Sequence, residues 1–97
     1  MPHVYILECG DGTLYVGSAR HLDSRLEQHY AGLGGNYTSK RQPVRLVFSE
    51  EFDRIDEAYE REKQIQGWGR AKRLALIQGR FDDLVRLSKS RQGRSAR

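Results

Sequence analysis

Apolar residues fall in short blocks separated by polar and glycine-rich breaks, and each block carries its own period. Residues 3–9, HVYILEC, are β-branched and aromatic around a short apolar centre, which predicts a strand. Gly10-Asp11-Gly12 is a turn signal, and residues 13–18, TLYVGS, predict a second strand, so the chain opens on a β-hairpin. With a three-residue loop at 10–12, Cys9 faces Thr13, Leu7 faces Tyr15 and Tyr5 faces Gly17. Tyr5, Leu7, Tyr15 and Gly17 then share one sheet face, and Val4, Ile6, Leu14 and Val16 share the other. A two-residue loop would undo this arrangement.

Leu22, Leu26 and Tyr30 recur every four residues and predict a helix over 20–31, with Asp23 near its positive end. Gly32, Gly34 and Gly35 end it and open a loop through NYTSKRQP. Residues 44–52 predict a third strand with Val44, Leu46 and Phe48 on one face. Asp53 suits the N-cap of a helix over 54–66, and Gly67-Trp68-Gly69 interrupts the pattern. A further helix spans 70–78, with Gly79 as its stop, and Phe81, Leu84 and Val85 add one packed turn. From Arg86 on the chain is basic, with little apolar content beyond Leu87, and is expected to be mobile. The order β-β-α-β-α-α predicts an α+β fold, a three-stranded and mainly antiparallel sheet flanked by helices. One domain is expected over residues 1–85, followed by a basic tail over 86–97.

At 97 residues the chain makes one domain large enough to bury a core without disulfides or metal. No apolar run approaches the roughly 18 residues of a membrane helix, so no membrane partner is expected. The opening residues lack the basic region of a signal peptide. A single cysteine, Cys9, forms no internal disulfide, and no Cys/His cluster has zinc spacing. A reducing, cytoplasmic setting is the resulting expectation. The net charge of +4 is unevenly distributed: residues 1–62 hold seven Lys/Arg against eleven Asp/Glu, and residues 63–97 hold ten against two. A basic last third suits phosphate contact, and equally a solvated face; charge alone does not separate them.

Some residues fit a purely structural role poorly. Ile55, Ala58, Tyr59 and Ile65 have the spacing of a buried stripe, and Glu62 falls on it. Glutamate is rarely buried unless paired or metal-bound, so Glu62 either reaches water or an arginine at the stripe's edge, or binds a cation. Arg25 and His29 lie one turn apart on one face. Tyr5 and Tyr15 share a hairpin face, where core packing is the ordinary role. Gly17 inside a strand marks close approach by a ligand or another backbone. Tyr37, Thr38, Ser39, Lys40 and Arg41 gather hydroxyls and cations on a loop, which suits phosphate contact or simple turn chemistry.

Together these residues resemble the GIY-YIG nuclease domain. His3-Val4-Tyr5 stands for the first half-motif and Tyr15-Val16-Gly17, ten residues on, for the second. Ser18 follows, then L-x-x-R-L-x-x-H-Y as Leu22, Arg25, Leu26, His29 and Tyr30, and after the third strand AYEREKQIQGW carries Glu62. The resemblance runs from residue 3 to about 78 and is greatest to small stand-alone bacterial members. His3 occupies the place of the first glycine, and the second domain with which larger members choose their DNA has no counterpart.

The resemblance implies hydrolysis of phosphodiester bonds in DNA, by nicking or structure-specific cleavage, with one divalent metal ion, Mg²⁺ or Mn²⁺. By position, Glu62 is the metal ligand, Tyr5 the general base acting on water, Tyr15 and His29 supports for proton transfer, and Arg25 the stabiliser of phosphate charge. A lone carboxylate with phosphate oxygens and waters is a usual way to hold Mg²⁺. A tyrosine of pKa about 10 is a poor base at neutral pH without nearby positive charge to lower it. Gly17 would leave space for substrate beside the Tyr5 phenol, and Tyr37, Thr38, Lys40, Arg41, Arg70, Lys72 and Arg73 would contact the nucleic acid. The implied partner is DNA, with a role in repair or recombination, no small-molecule cofactor, and scope for a protein partner that supplies specificity. The alternative is a non-catalytic nucleic-acid-binding or partner-dependent accessory module on the same scaffold.

Overall fold

The computed structural model describes the backbone of residues 1–95 and the side chains of residues 1–88. The chain divides into two compact units, Met1–Gln66 and Gly67–Arg97, where one domain over residues 1–85 was expected. The first unit holds β1 (His3–Glu8), β2 (Leu14–Ala19), α1 (Leu22–Tyr30), α2 (Asn36–Ser39), β3 (Arg45–Glu51) and α3 (Ile55–Gln66). The second holds α4 (Arg70–Ile77) and α5 (Phe81–Ser95).

The strands form one antiparallel sheet in the order β2-β1-β3. The hairpin closes as the Gly-Asp-Gly turn dictates. Cys9 N–H donates to Thr13 O and Gly12 N–H to Cys9 O, both at 2.9 Å, with Gly12 at φ +85°. Asp11 Oδ1 accepts from both the Thr13 amide and its hydroxyl, which fixes the turn. The register follows, with Tyr5 opposite Gly17 and Leu7 opposite Tyr15.

β1 is central, and Val4, Tyr5, Ile6 and Leu7 are all fully buried. Leu22 and Leu26 of α1 pack onto a cluster of Tyr5, Leu7, Cys9, Ala19 and Val44. Tyr30, expected to complete that stripe, is exposed instead. The helix α3 packs against β1 and β2 through buried Ala58 and Ile65, while Tyr59, expected on the same stripe, is 49% exposed.

Strand β3 departs from strict alternation. Ile6 pairs with Phe48 but Leu7 pairs with Leu46, so a register shift passes over Val47. One extra residue turns the strand over. Val44 and Leu46 join the Tyr5–Leu7 cluster, and Phe48 falls opposite Ile6 rather than sharing their face.

In the second unit Gly79 ends α4 at φ +70°, with Arg80 N–H donating to Ala75 O at 2.8 Å. α4 and α5 pack together, and the Lys72 ammonium lies 4.5 Å from the Trp68 ring centre. α5 is helical through Ser95 where a tail was expected from Arg86, and residues 96 and 97 of that segment lie outside the described residues. No helix among the described residues is long and apolar enough to cross a membrane.

Candidate active site

The site is built around a buried polar chain. Tyr5 from the middle of β1 places its Oη 2.8 Å from His29 Nε2, and His29 Nδ1 lies 2.9 Å from Thr38 Oγ1. His29 is fully buried and Thr38 is 1% exposed, so both ring nitrogens are paired without water. Gln42 Nε2 clamps the backbone behind them, donating to His29 O at 2.8 Å and to Thr38 O at 3.0 Å. The ring fits because residue 34 is glycine: a Cβ there would lie 2.2 Å from His29 Nδ1.

Tyr15 closes the cluster. Its ring centre lies 6.4 Å from that of Tyr5 and 5.4 Å from that of His29, in tilted and edge-on arrangements. Gly17 is what allows the two phenols to meet. A Cβ on it would fall 2.6 Å from Tyr5 Oη and 3.1 Å from Tyr15 Cε2.

On the neighbouring residue, Ser18 Oγ donates to Glu62 Oε1, and Gln66 Nε2 donates to Glu62 Oε2 at 2.8 Å. Gln66 also donates to Val16 O at 3.3 Å. Residues 17 and 18 point to opposite faces of β2, an edge strand, so the site wraps around that edge. Arg25 Nη1 lies 3.5 Å from Ser18 O, which sets the guanidinium between the two halves.

The electrostatics tie the five expected residues together. Burial pushes the Tyr5 phenol up to about 12; the charges of Tyr15 and Glu62 add to this, and Arg25 opposes it. Burial also raises Tyr15, with Glu62 adding and Arg25 opposing. His29 is held below its ordinary value, first by burial and then by the Arg25 charge. His29 is therefore kept neutral beside a protonated phenol, able to accept on one nitrogen and donate on the other.

A divalent cation fits this donor set as a one-carboxylate site. Both Glu62 oxygens accept from neutral donors, and among the described residues none forms an ion pair with it. Mg²⁺ is commonly bound by one or two carboxylates together with substrate phosphates and waters. Among the described residues no group of three or more His, Cys, Asp or Glu forms a closed cage.

The sequence matches the profile of the GIY-YIG catalytic domain over residues 1–75. The chain belongs to the GIY-YIG family. Its relatives include small UPF0213 proteins of Staphylococcus aureus strains Mu3 and Mu50, each 44% identical over 77 residues, covering 79% of this chain and 94% of the relative. The solution structure of the UPF0213 protein BH0048 from Bacillus halodurans is 38% identical, with a TM-score of 0.54, over 80% of this chain and 84% of that one.

Thr38 and Gly17 of this GIY-YIG chain are placed otherwise than the resemblance implied. Thr38 is buried against His29 rather than offered to phosphate. The space beside Gly17 is filled by the Tyr5 phenol and not left for substrate. Tyr37 lies against Tyr15 at 5.8 Å, and Arg41 covers the Tyr37 ring at 3.9 Å while pairing with Asp11 at 3.1 Å. Lys40 is exposed beside them. Arg70, Lys72 and Arg73 belong to α4 of the second unit. Ser18, Gln42, Gln66 and Gly34 shape the site without having been singled out as site residues. Only Ser18, next to the second half-motif, carried a signal that could have found it.

Proposed function

We propose that this GIY-YIG protein is a metal-dependent endonuclease that hydrolyses phosphodiester bonds in DNA. The observation that carries this reading is the Tyr5–His29 pair held within one electrostatic network with Arg25 and Glu62. The pair supplies an acceptor for the phenol proton, and Glu62, held by the neutral donors Ser18 and Gln66, keeps its charge for a cation.

The chemistry is a hydrolysis. Water oxygen bonds to phosphorus, and the bond from phosphorus to one ester oxygen breaks. Tyr5, with its phenol near 12, is not itself ionised at neutral pH. It takes the water proton on Oη as its own proton passes to His29 Nε2, 2.8 Å away. Nδ1–H then faces Thr38 Oγ1, so the imidazolium that forms keeps a hydrogen-bond acceptor. Arg25 presents a guanidinium to the developing phosphate charge, and its five fixed donors match phosphate oxygens. Glu62 would hold Mg²⁺ or Mn²⁺. When bound, that cation polarises the phosphate and stabilises the leaving oxygen. Ser18 and Gln66 keep the carboxylate aimed.

Cytoplasmic location and a role in repair or recombination belong to this reading, with Cys9 a buried free thiol and target choice supplied by DNA structure or by a protein partner. Cleavage of supercoiled plasmid and of flap, junction, duplex and single-stranded oligonucleotides in Mg²⁺ or Mn²⁺ tests it. Nicking is expected to vanish in Glu62→Ala and Tyr5→Phe while DNA binding survives. Equal activity in Glu62→Ala would overturn the assignment. Binding without cleavage in every metal would mark a non-catalytic module.

A further inference from the structure

Beside the candidate active site lies a cavity of about 360 Å³ whose lining includes Ser18, Arg20, His21, Arg25, Gln28 and Tyr59. We propose that it is a subsite for the nucleotide flanking the cleaved linkage, with Tyr59 as the platform on which that nucleotide's base stacks. The inference rests on the nuclease reading and deepens it by naming what holds the substrate next to the reacting phosphate.

Three observations carry it. The cavity adjoins the reacting centre: Ser18 is also the partner of Glu62, and Arg25 Nη1 lies 3.5 Å from Ser18 O. Tyr59 precedes Glu62 by three residues on α3, so the two share a helix face. It is 49% exposed and lines the cavity, on a helix whose Ala58 and Ile65 are fully buried. The lining also carries no carboxylate, and Arg20 is exposed with no ion-pair partner among the described residues. A larger neighbouring cavity of about 720 Å³ shares Arg20 and His21 but adds Asp53 and Asp56, and its Arg54 is held by Asp56 at 2.9 Å. The Ser18 side, with two arginines and no acid in its lining, favours phosphate more than the Asp53 side, where two aspartates offset two arginines.

An aromatic side chain, two guanidinium groups and a cavity lined by Ser18, the hydrogen-bond partner of Glu62, together suit one base and its phosphate. A base paired within a duplex offers no free face to a side chain. The base that occupies this subsite is therefore one turned out of its stack.

Titration of ¹⁵N-labelled protein with thymidine 3′,5′-bisphosphate, followed by NMR without added metal, tests the subsite independently of cleavage. Amide shifts are expected at residues 18–28 and around Tyr59. Tyr59→Ala should weaken the Kd about five-fold or more, and Tyr59→Phe should stay within about two-fold of the parent. Arg20→Ala should weaken the bisphosphate but not thymidine. No binding, shifts centred elsewhere, or an unchanged Kd in Tyr59→Ala would overturn the proposal. Binding at this site by a protein that cleaves no DNA would sustain the subsite while overturning the endonuclease reading.

Discussion

Tyr5 Oη and His29 Nε2 meet at 2.8 Å, and both residues are fully buried in the free protein. They stand 24 positions apart in the chain, and His29 Nε2 finds its hydrogen-bond partner in Tyr5. Tyr5→Phe therefore removes a reacting oxygen and also strands a buried ring nitrogen. Leaving such a group unpaired costs about 1–3 kcal/mol. The variant should melt several degrees below the parent by calorimetry, in addition to losing cleavage. A Tyr5→Phe protein of unchanged Tm would mean that the pair contributes nothing to folding.

The two glycines that frame the site should tolerate nothing larger. Alanine at 17 would press a methyl to 2.6 Å from Tyr5 Oη, and alanine at 34 would bring one to 2.2 Å from His29 Nδ1. Both rings are packed on other sides by Tyr15, so neither can swing clear. Each substitution is expected to cost about 1–3 kcal/mol and to lower kcat more than KM, read from denaturant melts and steady-state cleavage.

Stability should fall on acidification because of His29. Its folded-state pKa is depressed below the ordinary 6.5 by burial and the Arg25 charge. The unfolded chain then binds a proton that the folded chain refuses. The contribution of His29 is fully present above about 6.5 and is lost as the pH drops from there toward the folded value. Tm measured across pH 8 to 4 should decline below about 6.5, and a histidine ring resonance should titrate below that value in NMR. A ring that titrates above 6.5 would contradict the buried neutral imidazole.

Ser18→Ala should leave the fold intact and weaken the Glu62 site. The serine hydroxyl donates to one carboxylate oxygen while Gln66 holds the other. Loss of a partner that orients a metal ligand typically costs 10- to 100-fold in affinity or activity. The expected result is a metal activation curve shifted to higher Mn²⁺ by about that factor.

The hairpin was legible because Gly10-Asp11-Gly12 marks the turn, and of the registers it allows the three-residue loop is the one formed, which sets Tyr5 opposite Gly17. Arg25 and His29 were legible as a helical pair, and Glu62 as a charge on an apolar stripe. Phe48 was misplaced because a bulge has no mark in the apolar pattern: Val47, Phe48 and Leu46 are all β-formers, and only the pairing with Ile6 and Leu7 reveals the skipped residue. Thr38 read as a loop hydroxyl because α2 is one turn long and too short to show a period. Its burial depends on His29, nine residues away. Tyr59 had the spacing of a core residue, yet it is half exposed while Ala58 on the same turn of α3 is fully buried. Helical spacing marks a face, and the neighbours decide whether that face is covered.

Gln66 has a second duty beyond Glu62. Its amide reaches Val16 O, on a strand with no neighbour on its outer side. Open strands invite pairing with like strands from other molecules, and proteins resist this by obstructing the backbone groups on offer. A side chain that steadies the carboxylate thus also occupies one of the backbone acceptors that this edge strand offers.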